Sequence, residues 1–133
     1  MTATLSGCGV TKELCRYTWE QLEYHEIADE CLSTAKYRHL AQADLDQYAA
    51  SNPECRLSQD FAAGFIDGFV DYVNEGPGGT PTIPPRCYWK VFHENPEGHD
   101  AALDWLHGFR AGAVAAEQSG YREFAIVPVA PPR

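Results

Sequence analysis

From residue 12 to residue 51 the chain contains neither glycine nor proline, so nothing in its covalent structure interrupts a helix. Set at 100° per residue, Leu14, Tyr17, Tyr24, Ile27, Ala28, Cys31, Leu32 and Ala35 fall within one arc, and Glu23, Glu26, Asp29 and Glu30 lie opposite. This pattern predicts an amphipathic helix buried on its Tyr/Ile/Cys face. Past Lys36 the stripe weakens as Arg38 and Gln42 enter it. A bend, or a second helix over 41–50, is therefore expected, ended by Ser51-Asn52-Pro53.

Ser58 then has the chemistry of an N-cap, with a helix over 61–74 and Gly76 as its stop. Residues 76–85 hold three glycines and four prolines, which predicts an extended loop of polyproline character. Residues 86–92 are aromatic and partly alternating, and suit an extended segment packed on the core. Asn95-Pro96 opens a last helix near 97–119, closed by Gly120, and a proline-rich tail follows. The expected organisation is an N-terminal segment over 1–11, one helical domain over 12–124 and a tail over 125–133. The expected fold is all-α: a long N-terminal helix packed on two glycine-striped helices, with the Pro/Gly loop across them.

Those two helices share a motif. Asp60-Phe61-x-x-Gly64-Phe65-x-x-Gly68-x-Val70 aligns without gaps on Asp104-Trp105-x-x-Gly108-Phe109-x-x-Gly112-x-Val114, and both copies end on a glycine, Gly76 and Gly120. Six of seventeen positions are identical, where average residue usage predicts about one. A mid-helix glycine costs about 1 kcal/mol against alanine, so four cost about 4 kcal/mol. Close backbone approach is the natural compensation. Two such helices can cross glycine to glycine while Phe61, Phe65, Trp105 and Phe109 seal the edges of the contact. The same spacing packs helices in membranes, but Asp67 and Asp71 exclude burial in lipid.

Composition narrows the function. The chain carries 44% hydrophobic and 22% charged residues, as an ordinary globular protein does. Its net charge of -9 argues against a nucleic-acid partner. The five cysteines, Cys8, Cys15, Cys31, Cys55 and Cys87, include no Cys-x-x-Cys pair, so zinc-ribbon and thioredoxin chemistry is not indicated. Cys8 ends Leu5-Ser6-Gly7-Cys8, which looks like a bacterial lipobox. Such a match precedes a given cysteine by chance roughly once in fifty. No basic and hydrophobic signal stretch stands before Leu5, so the expectation is a truncated or mis-started form of an exported lipoprotein, lipidated on Cys8. Export would place Cys15, Cys31, Cys55 and Cys87 in an oxidising compartment, where two disulfides could form in any of three pairings. Without export the expected location is the cytoplasm.

The order Gly64-Phe65-x-x-Gly68-Phe69-x-Asp71, Gly-Pro-Gly-Gly, Pro84-Pro85, Tyr88-Trp89, Asn95-Pro96-x-Gly98 and Trp105-x-x-Gly108-Phe109-x-x-Gly112-Ala113 is distinctive. It resembles a group of small, uncharacterised lipoprotein-like proteins of planctomycete bacteria. The resemblance covers roughly residues 5–120 and is loosest in the first helix. It implies a cell-envelope role and supplies no activity, cofactor or site residue.

Little in the chain points to catalysis. There is no His-Glu-x-x-His, Glu-x-x-His, Gly-x-Ser-x-Gly or Walker loop, and Gly76-Pro77-Gly78-Gly79 lacks the lysine of a phosphate cradle. The best metal-ligand candidates are His93, Glu94, Glu97, His99 and Asp100 around a Pro-Gly turn, joined by Asp104 and His107 on a helix face. A surface loop and an acid-favouring helix start account for them more simply. Pro84, Pro85, Tyr88 and Trp89 form a candidate partner surface, because exposed aromatics anchor interfaces; the competing reading has Tyr88 and Trp89 capping the glycine helices. The expected function is non-enzymatic and cofactor-free: a structural or protein-interaction component of the cell envelope, self-assembling or partner-bound, touching membrane only through lipid on Cys8. The alternative is a small-ligand or metal-binding module in the region of His93 to His107.

Overall fold

The computed structural model describes residues 26–128, and these form an all-α fold with no strand among them. Helices α1 (Glu26–Ser51), α2 (Gln59–Glu75), α3 (Pro96–Ser119) and α4 (Arg122–Ala125) follow in order, with two 3-10 turns, Arg86–Trp89 and Val91–His93, before α3. The chain divides into two units, residues 1–33 and 34–133. The opening turns of α1, to Ser33, belong to the first. The lipobox at Cys8, Cys15 and the stripe members Leu14, Tyr17 and Tyr24 lie outside the described residues.

Helix α1 runs unbroken to Ser51, with no separate second helix over 41–50. With no glycine or proline to interrupt it, the polar intruders are simply accommodated: Gln42 Nε2 donates to Asp46 Oδ1 one turn on, at 3.0 Å. Arg38 reaches Asp67 of α2 at 3.6 Å. Its end is set by Pro53, which disfavours helical geometry at Asn52. The last carbonyls are taken by Ser51 Oγ, on Gln47 O, and Asn52 Nδ2, on Tyr48 O, both at 2.9 Å.

Of the expected stripe on α1, the side chains of Leu14, Tyr17, Tyr24, Ile27 and Ala28 lie outside the described residues. Cys31, Leu32 and Ala35 of the expected stripe are exposed. In the second unit Ala41 and Leu45 are buried, with Tyr37 and Leu40 half-buried beside them. In the second half of the helix the small Ala41 lets α1 approach Phe69, Val73 and Ala116. Further along, the Tyr48 ring lies 5.9 Å from that of Phe61 and 5.7 Å from that of Phe65.

Helices α2 and α3 are the centre of the fold, and they pair as the duplication requires. A Cβ built on Gly64 would overlap the Trp105 carbonyl oxygen, and one on Gly108 the Phe61 carbonyl oxygen. Gly68 meets Phe109 in the same way, and Gly112 meets Phe65. Because residue i of the first copy corresponds to i+44 of the second, each contact is the mirror of another, as in a two-fold symmetric dimer. The pairs rise together in number along both helices, so α2 and α3 run parallel. The expected glycine-to-glycine crossing is corrected in one respect: each glycine receives the backbone of an aromatic residue, not another glycine. That geometry places Phe65, Phe69, Trp105 and Phe109 in the core.

A parallel pair needs a long return. Helix α2 is about 25 Å long at 1.5 Å per residue, and ten residues at about 3.1 Å each cover that distance only if extended. This is the physical role of the Pro/Gly loop over 76–85. Gly76 turns the chain out of α2 at φ 95°, and its N–H donates to Tyr72 O at 2.9 Å. The Arg122 guanidinium lies against Gly76 and donates to the Tyr72 and Val73 carbonyls at 3.2 and 2.9 Å. It thereby closes the C-terminal end of α2.

Candidate interaction surface

At the other end of the pair, the starts of α2 and α3 are tied to each other and to the segment before α3. Ser58 Oγ accepts the Phe61 N–H at 3.1 Å as the N-cap and donates to Asp104 Oδ2 at 2.7 Å. Asp60, the counterpart of Asp104, accepts the Tyr88 hydroxyl at 2.7 Å. The two duplicated aspartates are therefore both engaged by hydroxyls. Trp105 Nε1 donates to Asp67 Oδ2 at 3.2 Å. At the start of α3, Asn95 Oδ1 accepts the Gly98 N–H at 2.7 Å, and Asn95 Nδ2 donates to Phe92 O at 2.8 Å.

The expected extended segment over 86–92 is instead two 3-10 turns. Strict alternation would have put Tyr88 and Phe92 on one face and Trp89 and Val91 on the other. The 3-10 turns break that alternation. Tyr88 turns inward, its ring 6.5 Å from Trp105 and 5.6 Å from His93. Burial, the hydrogen bond to Asp60 and the negative charge nearby push its hydroxyl well above the ordinary tyrosine range. Trp89 is 53% exposed, with Nε1 donating to Pro84 O at 2.9 Å and the Arg86 guanidinium 5.8 Å from the ring centre. Val91 is 76% exposed and Phe92 86%.

The four residues proposed as a partner surface therefore divide. Tyr88 is the anchor and caps the glycine pair, whereas Trp89 is displayed, held by the Pro84 carbonyl; Pro85 precedes the first 3-10 turn. Val91 and Phe92 complete the displayed surface. Their exposure had no sequence signal, since apolar residues beside an anchored tyrosine read equally well as core.

The metal candidates are not gathered. Among the described residues, no group of three or more His, Cys, Asp or Glu side chains stands where it could hold a metal ion. Pro96 and Gly98 form the first turn of α3 and not a Pro-Gly turn, so His99 is carried outward on a helix. Gly98 is buried because a Cβ there would overlap the His93 backbone. His93 Nδ1 is buried without a hydrogen-bond partner, and His107 is exposed midway along α3. Cys31, Cys55 and Cys87 are free, exposed thiols. No described helix is long and apolar enough to cross a membrane. Neither a protein-family model, a curated protein nor a solved structure matches this chain.

Proposed function

We propose that the protein is a non-enzymatic structural or protein-interaction component of the bacterial cell envelope, held there by lipid on Cys8. The observation that supports an interaction role is the display of Trp89, Val91 and Phe92 on a segment whose position is fixed by the Tyr88–Asp60 hydrogen bond. Large apolar side chains held outward on an anchored backbone lose little conformational freedom on binding, which favours an anchor at an interface. The segment also has its own charge. Residues 76–93 contain Arg86 and Lys90 and no acid, in a chain of net charge -9. The surface suits an acidic protein partner. The envelope assignment rests on the lipobox-like Leu5-Ser6-Gly7-Cys8 and on the resemblance to planctomycete lipoprotein-like proteins.

The test is photo-crosslinking in the producing cell, with benzoyl-phenylalanine in place of Trp89. A light-dependent adduct of discrete mass in the envelope fraction is the expected result. A chain that stays uncrosslinked and remains in the soluble fraction contradicts the reading.

A further inference from the structure

The displayed segment has a counterpart on the same molecule. Between the end of α2, the start of the Pro/Gly loop and the second half of α3 lies a cleft of about 170 Å³, lined by Asp71, Tyr72, Pro77, Arg110, Val114 and Glu117 among others. An apolar cavity of about 150 Å³ is enough to hold a benzene ring, so the cleft matches one aromatic side chain in size. Asp71 and Glu117 make its rim acidic, with Glu75 close enough to Asp71 to raise its carboxyl pKa after burial has done so. Arg110 is the one cation among the lining residues.

Two phenylalanines protrude far enough to enter such a cleft: Phe92, 86% exposed, and Phe124, 87% exposed. Charge separates them. Phe124 brings no free cation to the acidic rim, because its neighbour Arg122 is occupied with the carbonyls of α2. Phe92 has Lys90 two residues before it, and Glu94 two residues after it to meet Arg110. On their own molecule the two patches lie near opposite ends of the parallel pair: the segment beside the starts of α2 and α3, the cleft beside the end of α2.

We propose that this chain assembles head to tail with further copies of itself, Phe92 of one copy entering the cleft of the next while Lys90 meets Asp71 and Glu117. The proposal rests on the interaction reading above and names the partner as a second copy. The two patches differ, so the contact is heterologous and each added copy presents a free end to another.

The test uses the full chain under reducing conditions, which keep the exposed cysteines from crosslinking it. Sedimentation velocity should show a mass that rises with concentration above the 14.8 kDa of one chain. Phe92→Ala retains the cleft and Val114→Arg retains the protruding ring; both sites are exposed, and circular dichroism confirms that the variants fold. Each variant alone should remain monomeric. Mixed in equal amounts, they should form a one-to-one pair that grows no further, because one knob and one cleft remain between them. A wild-type chain that is monomeric at every concentration overturns the proposal. So does a Phe92→Ala chain that assembles like wild type, or a mixture that fails to pair. A monomeric wild type whose Trp89 position still crosslinks to a different protein would remove self-assembly and leave the interaction reading standing.

Discussion

Gly68 and Phe109 meet backbone to backbone: a Cβ on Gly68 would overlap the Phe109 carbonyl oxygen and lie 2.7 Å from its carbon. Gly112 and Phe65 repeat the contact with the two copies of the motif exchanged. The atom in the way is backbone and cannot swing aside as a side-chain tip could. Gly68→Ala and Gly112→Ala should each cost about 3 kcal/mol in strain, the upper end for overpacking, against about 1 kcal/mol regained in helix propensity. The net loss lowers the melting temperature by on the order of 10 °C. Gly79, with nothing within 4 Å of a built Cβ, is the control. Gly79→Ala should leave the melting temperature unchanged.

The Tyr88–Asp60 hydrogen bond should be visible in a spectrophotometric titration. Burial and Asp60 hold the Tyr88 hydroxyl protonated in the folded state to higher pH than in the unfolded chain. A raised folded pKa means that this group's contribution to stability is fully present below about pH 10, the ordinary tyrosine value, and is lost as pH rises above it. One tyrosine should ionise late, in step with alkaline unfolding, and Tyr88→Phe should remove that component. Stability at neutral pH should fall by about 1 kcal/mol in the same variant. Equal tyrosine titrations in the two proteins would contradict the assignment.

Asp71 gives a pH dependence of the same sign at the acid end of the range. Its carboxyl pKa is raised, first by burial and then by Glu75, so the ionised form is disfavoured in the fold. The contribution to stability is present below the unfolded pKa of about 4 and lost as pH rises through the folded value. Asp71→Asn should therefore melt above wild type at neutral pH, with the two curves converging in acid. The measurement belongs at low protein concentration, where Asp71 faces solvent.

Arg122 closes α2 through the Tyr72 and Val73 carbonyls. Hydrogen bonds to a charged donor are worth about 1.5–3 kcal/mol each when buried, and less at this half-exposed site. Arg122→Ala should lose about 1–2 kcal/mol in urea unfolding, and Arg122→Lys should recover only part of it, because one ammonium cannot reproduce the planar fork. Full recovery by lysine would mean that charge at the helix end, and not the shape of the guanidinium, is what matters.

How much of this could be read in the chain depends on whether the cause was local. Ser58, Gly76, Asn95 and Gly120 bound their helices as expected, because capping is decided by a residue and its nearest backbone neighbours. The glycine pairs were legible as a packing device because their helix cost demanded compensation. The parallel direction of the pair was not, since it depends on what the return loop spans. The burial of Ala41 was not legible, because periodicity records where large apolar residues cluster and not where a small side chain allows a close approach. The outward turn of Phe92 depended on two 3-10 turns set by the anchoring of Tyr88, a contact 28 residues away in sequence.

The central claim is that α2 and α3 run parallel with each glycine seated on the other helix's backbone. Nuclear Overhauser contacts in the isotopically labelled native chain test it most directly. The account predicts strong backbone proton contacts between Gly64 and Trp105, Gly68 and Phe109, Gly108 and Phe61, and Gly112 and Phe65. Contacts that join the start of α2 to the end of α3, or none between these four pairs, would contradict it.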